Sequence, residues 1–114
     1  QIRMFGVGNG PNIELFQYTA PDQDRSIRRN SDWGGHHVGL YVKRIDKGVE
    51  ELQDRTGTKL DGPLSLTEGP AAGQSINYFA TPFGTNVELI SYPDGMAYER
   101  TAPIDLWDPR DNRS

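Results

Sequence analysis

Sliding the sequence over itself by 74 residues brings Phe5 onto Phe79, Gly10 onto Gly84, Asn12 onto Asn86, Glu14 onto Glu88, Leu15 onto Leu89 and Tyr18 onto Tyr92. Six identities over fourteen positions mark an internal repeat, and a repeat constrains the fold of a short chain more than any single element does. Both copies carry the same anomaly. "PNIELFQY" and "TNVELISY" read as apolar strands, yet each has a glutamate at its centre.

The elements around the repeat follow from pattern. Residues 2–7, "IRMFGV", and 12–18, "NIELFQY", read as two strands of a hairpin joined by "GNGP", whose Gly and Asn supply the positive φ of a tight connection. Residues 19–35 are polar, contain proline and show no apolar period, which predicts a surface connection with Trp33 as its anchor. "HHVGLYV" reads as a strand, and "IDKGVEELQDRTG" as a helix with Ile45, Val49 and Leu52 on one face, Asp46 as N-cap and Gly57 as stop. "LSLTEG", "SINYFAT" and "NVELISY" read as three further strands. Residues 36–92 are therefore predicted to be a complete β-α-β-β-β module, 1–18 the last two strands of an earlier copy, and 93–114 a C-terminal arm. The fold class is α+β, built from paired modules of which the first is incomplete in this chain.

Composition narrows the partners. Twelve basic and sixteen acidic residues give a formal charge of -4, and the basic residues form no stripe, so nucleic acid is not expected as a partner. Cysteine is absent, which removes disulfides, thiolate nucleophiles and thiolate metal sites and fits a reducing cytoplasm. With no apolar run of roughly 18–20 residues and no signal peptide, we expect a soluble cytoplasmic protein rather than a membrane protein. Hydrophobic residues are 34% of the chain and mean hydropathy is -0.71, lean for a self-sufficient core.

Strand alternation decides where the anomalous carboxylates point, since residues i and i+2 share a face. Glu14 falls on a face with Phe16 and Tyr18, and Glu88 with Ile90 and Tyr92. Val38, Leu40 and Val42 form an apolar face for the helix to cover, leaving His37, Gly39 and Tyr41 on the other; His36 falls with Val38 and is not a candidate. Glu14, His37 and Glu88 together form a nitrogen and hard-oxygen set that suits a divalent metal ion: zinc, nickel, cobalt, manganese or ferrous iron. The alternative is solvated glutamates on an open sheet face and a structural histidine.

"GHHVGLYVKRIDKGVEEL" followed by "YFATPFGTNVELISYP" resembles the second module of the vicinal oxygen chelate superfamily, which includes glyoxalase I, methylmalonyl-CoA epimerase, extradiol dioxygenases and bleomycin-resistance proteins, and "GNGPNIELFQY" resembles the end of its first module. The resemblance implies a cup-shaped mixed sheet around one divalent metal, with His37 as first-strand ligand of the second module, Glu88 as its last-strand ligand, and Glu14 as last-strand ligand of the first. His37 precedes Glu88 by 51 residues. The fourth ligand is thus expected about 51 residues before Glu14, upstream of residue 1. Either the chain is a fragment of a longer protein or a partner chain supplies the missing quarter; we expect a fragment, since a six-stranded remnant would expose apolar surface and an unpaired edge. "ATPFGTN" departs from the acidic Asp-Pro-Asp-Gly-Asn turn of many members, while Pro82 and Gly84 keep the bend.

What the resemblance implies about activity is a lyase, isomerase or epimerase acting on a small carbonyl compound, with the metal as Lewis acid and Glu88 or Glu14 as the proton-moving base. A homodimer is also implied. Two rivals remain at this point. One is ferrous extradiol ring cleavage, which needs two His and one carboxylate and leaves Glu14 unexplained. The other is a non-catalytic ligand- or antibiotic-binding protein, in which Tyr18, Tyr41, Tyr78 and Tyr92 line the binding surface. For those tyrosines, substrate contact competes with ordinary half-buried strand packing.

Overall fold

The computed structural model describes residues 1–8 and 10–111. Packing divides the chain into two compact units: residues 1–26 together with the segment from Trp107 onward, and residues 27–106.

The first unit is an antiparallel hairpin of β1 (Ile2–Phe5) and β2 (Ile13–Phe16). The strands are shorter than the 2–7 and 12–18 read from sequence: Gly6, Val7 and Asn12 fall to the connection, and Gln17 and Tyr18 lie beyond the end of β2. Gly8 takes the positive φ expected there, and the Gly10 N–H closes the turn on the Val7 carbonyl at 2.8 Å. Asn9, expected to contribute to the same turn, lies outside the described residues. The Trp107 indole lies against Gly10.

The second unit runs β3 (His37–Tyr41), α1 (Ile45–Thr56), β4 (Leu64–Ser65), β5 (Ser75–Ala80) and β6 (Asn86–Ser91), the β-α-β-β-β order read from the sequence. Its sheet has the order β3-β6-β5-β4, with β3 and β6 parallel and the remaining pairs antiparallel. With the antiparallel hairpin this makes an α+β chain. Parallel neighbours cannot be joined by a tight turn; here the helix and two further strands lie between them in sequence. No helix among the described residues is long and apolar enough to cross a membrane.

The helix packs over β5 and β6 by burying Val49 against the side of the sheet that carries Leu89. Gly48, unfavourable for a helix interior, is explained by this contact: a β-carbon there would lie 3.2 Å from Leu89 Cδ1 and 3.4 Å from Val42 Cγ2. Asp46 is not the N-cap. That position is Arg44, without a side-chain cap, and Asp46 sits in the first turn paired to the Arg44 guanidinium at 2.8 Å, where an acid complements the helix dipole. Gly57 does stop the helix, in the left-handed region at φ 67, with its N–H on the Gln53 carbonyl at 2.8 Å. Gly57→Ala is expected to cost roughly 1 kcal/mol, read as a lower urea midpoint at unchanged slope.

Two further expectations need correction. Trp33 does not anchor the 19–35 connection, since it is 99% exposed. Ile27, itself 69% exposed, touches Gly84, where a β-carbon would lie 2.9 Å from its Cγ1. Asn86 Nδ2 also donates to Asn30 Oδ1 at 3.3 Å, tying this segment to the start of β6. The apolar residues from Pro93 onward do not form one arm. Met96 is buried in the core of the second unit, and the 3₁₀ turn Ala97–Thr101 docks through the Ala97 and Tyr98 N–H groups on the Ala72 and Pro70 carbonyls, both at 2.9 Å. Trp107 belongs to the hairpin unit.

Candidate functional site

Register turns strand alternation into a site. Gly39 pairs with Glu88 across β3 and β6, and Glu88 with Tyr78 across β6 and β5, so these three lie in one row on one face. His37 and Tyr41 flank Gly39 on the same face, two residues either way along β3. Leu89, one residue on, points to the helix side. The separation of Glu88 from Leu89 that alternation gives is what the structure shows, with Leu89 on the helix side and Glu88 opposite.

On that face His37 Nε2 lies 3.3 Å from Glu88 Oε2. Tyr78 pairs with Glu88 across β5 and β6, and the Tyr78 ring meets the His37 imidazole edge-on, with centroids 5.2 Å apart and planes at 86°. Glu88 is only 8% exposed while His37 is exposed. A buried carboxylate is costly unless it is hydrogen-bonded or meets a cation, and the His37 imidazole, 3.3 Å away, is placed to serve as either. Loss of solvation pushes the Tyr78 hydroxyl above its ordinary pKa, and the neighbouring Glu88 carboxylate adds to the effect. A second aromatic pair, Tyr41 and Tyr92, meets edge-on at 5.0 Å. His36 turns away from this cluster and donates from Nδ1 to the Gly34 carbonyl at 2.9 Å.

Glu14 and Tyr18 belong to the hairpin unit. Glu14 pairs with Met4 and is exposed within the chain, and Tyr18 stacks on Phe16 with centroids 5.9 Å apart, as their shared face requires. Among the described residues no three His, Asp or Glu side chains gather into a metal-binding group. His37 and Glu88 are a fitting pair for part of one. Nitrogen and oxygen ligands at zinc-like bond lengths and a tetrahedral angle stand about 3.4 Å apart, and the observed separation is 3.3 Å.

The helix side of the sheet holds a separate cleft of about 270 Å³, lined by Leu52, Thr56, Leu60, Phe79 and Pro82 among others. Its lining has no titratable group.

One relative carries a function. Over 110 residues, 96% of this chain, the sequence is 44% identical to a curated 2-epi-5-epi-valiolone epimerase from an Actinomyces species. The chain spans about 60% of the length of that relative. No family model and no solved structure matches.

The structure brings His37, Tyr41, Tyr78 and Glu88 onto one face of the second unit. The pairing of Tyr78 with Glu88 follows from a register centred on the Thr81–Thr85 turn, which Thr81 closes by accepting the Thr85 N–H at its Oγ1 and donating its own N–H to the Thr85 carbonyl. Gly39 stands on the same face, a glycine inside a strand otherwise made of β-branched, aromatic and leucine side chains.

Proposed function

We propose that the full protein is an epimerase of the vicinal oxygen chelate type, inverting a carbon next to the carbonyl of a small-molecule substrate at the face that carries His37, Tyr78 and Glu88. The observation that carries this reading is a buried carboxylate, Glu88, held 3.3 Å from the His37 imidazole, whose ring meets Tyr78 edge-on. The epimerase name of the Actinomyces relative points to the same reaction class.

Epimerisation takes a proton from the carbon beside the carbonyl and returns one to its opposite side, with the electron pair passing to the carbonyl oxygen and back, so no net oxidation occurs. Glu88 takes the proton on its carboxylate, which suits general-base catalysis once substrate lies against the sheet. Tyr78, paired with Glu88 across the strands, sets the wall beside that carboxylate. A divalent cation held by His37 Nε2 and Glu88 would supply Lewis-acid polarisation of the carbonyl oxygen when bound. From the sequence repeat alone, Glu14 is the candidate for a further ligand or second proton carrier, and Glu14→Gln tests it.

The decisive experiment incubates the full protein and Mn²⁺ with 2-epi-5-epi-valiolone in D₂O. Deuterium is expected at the inverted carbon, seen by NMR. Epimer formed without label, or no epimer at all, refutes the proposal. In parallel, His37→Ala is expected to weaken Mn²⁺ binding by more than about tenfold in calorimetry, since even partners one shell out from a metal are worth that much.

A further inference from the structure

Gly39 sits in the middle of β3, between His37 and Tyr41, where a glycine costs stability. Nothing in the fold asks for it. Its φ is not positive, so no backbone turn needs a residue without a β-carbon. No backbone approaches it: the one heavy atom within 4 Å of a β-carbon built there is Glu88 Oε2, at 3.6 Å, an ordinary van der Waals contact. The contrast with Gly48 is direct, since there the added carbon meets the core at 3.2 Å.

The missing side chain instead leaves a gap in the face that bears the site. His37 and Tyr41 are four residues apart along a strand, about 13 Å between their α-carbons. The only side-chain position between them on that face is empty, and Glu88 forms the adjoining wall. Gly39 is also exposed. A glycine in a strand interior commonly marks close approach by a ligand, and here the approach ends on a carboxylate oxygen.

We propose that Gly39 determines substrate access: it is the floor of a slot through which a compact, oxygen-bearing part of the substrate reaches the Glu88 carboxylate between His37 and Tyr41. The proposal rests on the reading of this face as the site. It adds a position that touches neither the proton nor a metal, yet limits the bulk of what can be bound.

The test uses Gly39→Ala and Gly39→Val in the full protein, with thermal midpoint measured without ligand and the His37 imidazole NMR signals followed as 2-epi-5-epi-valiolone is added. Gly39→Ala is expected to raise the midpoint by about 2–6 °C, because alanine is the better strand residue. It should weaken binding about tenfold, the scale of one extra carbon in a pocket. Gly39→Val is expected to keep the fold by circular dichroism and lose the His37 response. A lower midpoint for Gly39→Ala shows that the glycine is structural and overturns the proposal, as does an undiminished response in Gly39→Val. If the unmodified protein responds but forms no epimer, with the response lost in Gly39→Val, the slot stands and the proposed reaction falls. If it does not respond at all, both fall.

Discussion

Under the proposed epimerase reading, replacing Glu88 by glutamine is expected to lower kcat by roughly 10²–10⁴-fold, the usual worth of a positioned general base, and to leave the fold intact. Glutamine has the shape of glutamate, so the face keeps its packing while losing its base. Deuterium exchange from solvent should fall with the rate, because both depend on the same proton transfer. A variant that keeps its rate would reduce Glu88 to a structural partner of His37.

The residue beside it behaves in the opposite way. Leu89→Ala is expected to destabilise the protein by about 2–5 kcal/mol, a large share of the roughly 5–15 kcal/mol that holds a domain of this size folded. Leu89 is 5% exposed and lies against Gly48, which has no side chain to move into the space left behind. Poor collapse places the expected loss in the upper half of that range. Urea denaturation reads it directly, and a loss below about 1 kcal/mol would show that this contact is not the centre of the core. In the variant that remains folded, the His37–Glu88 face should still bind Mn²⁺, since the substitution lies on the other side of the sheet.

The two outcomes show why the glutamate–leucine pair was legible. Alternation alone separates residues 88 and 89 onto opposite faces, and the β-branched pattern of residues 38–42 identifies which face the helix covers. Helix termination at Gly57 was equally local, because left-handed backbone selects for glycine. What escaped the sequence depended on tertiary choices. Asp46 could have capped the helix, but Arg44 competes for its carboxylate. Trp33 has the area to anchor a loop, yet it is 99% exposed, and the segment is held instead by the Asn30–Asn86 bond and the contact of Ile27 with Gly84. Strand length was overread at "LSLTEG", where only Leu64 and Ser65 pair with β5. The pairing of Tyr78 with Glu88 required a register that turn length decides and pattern does not.

The parallel pairing of β3 with β6 has a kinetic meaning. His37 and Glu88 come from the first and last strands of their unit, and they meet only when the chain between them has closed a long loop. A chain in which α1, β4 and β5 have formed while β3 remains undocked has its core largely in place, yet it holds no site. Where the proposed epimerisation takes place on this face, its recovery on refolding should therefore trail the helical signal and serve as a clock for the last strand to dock.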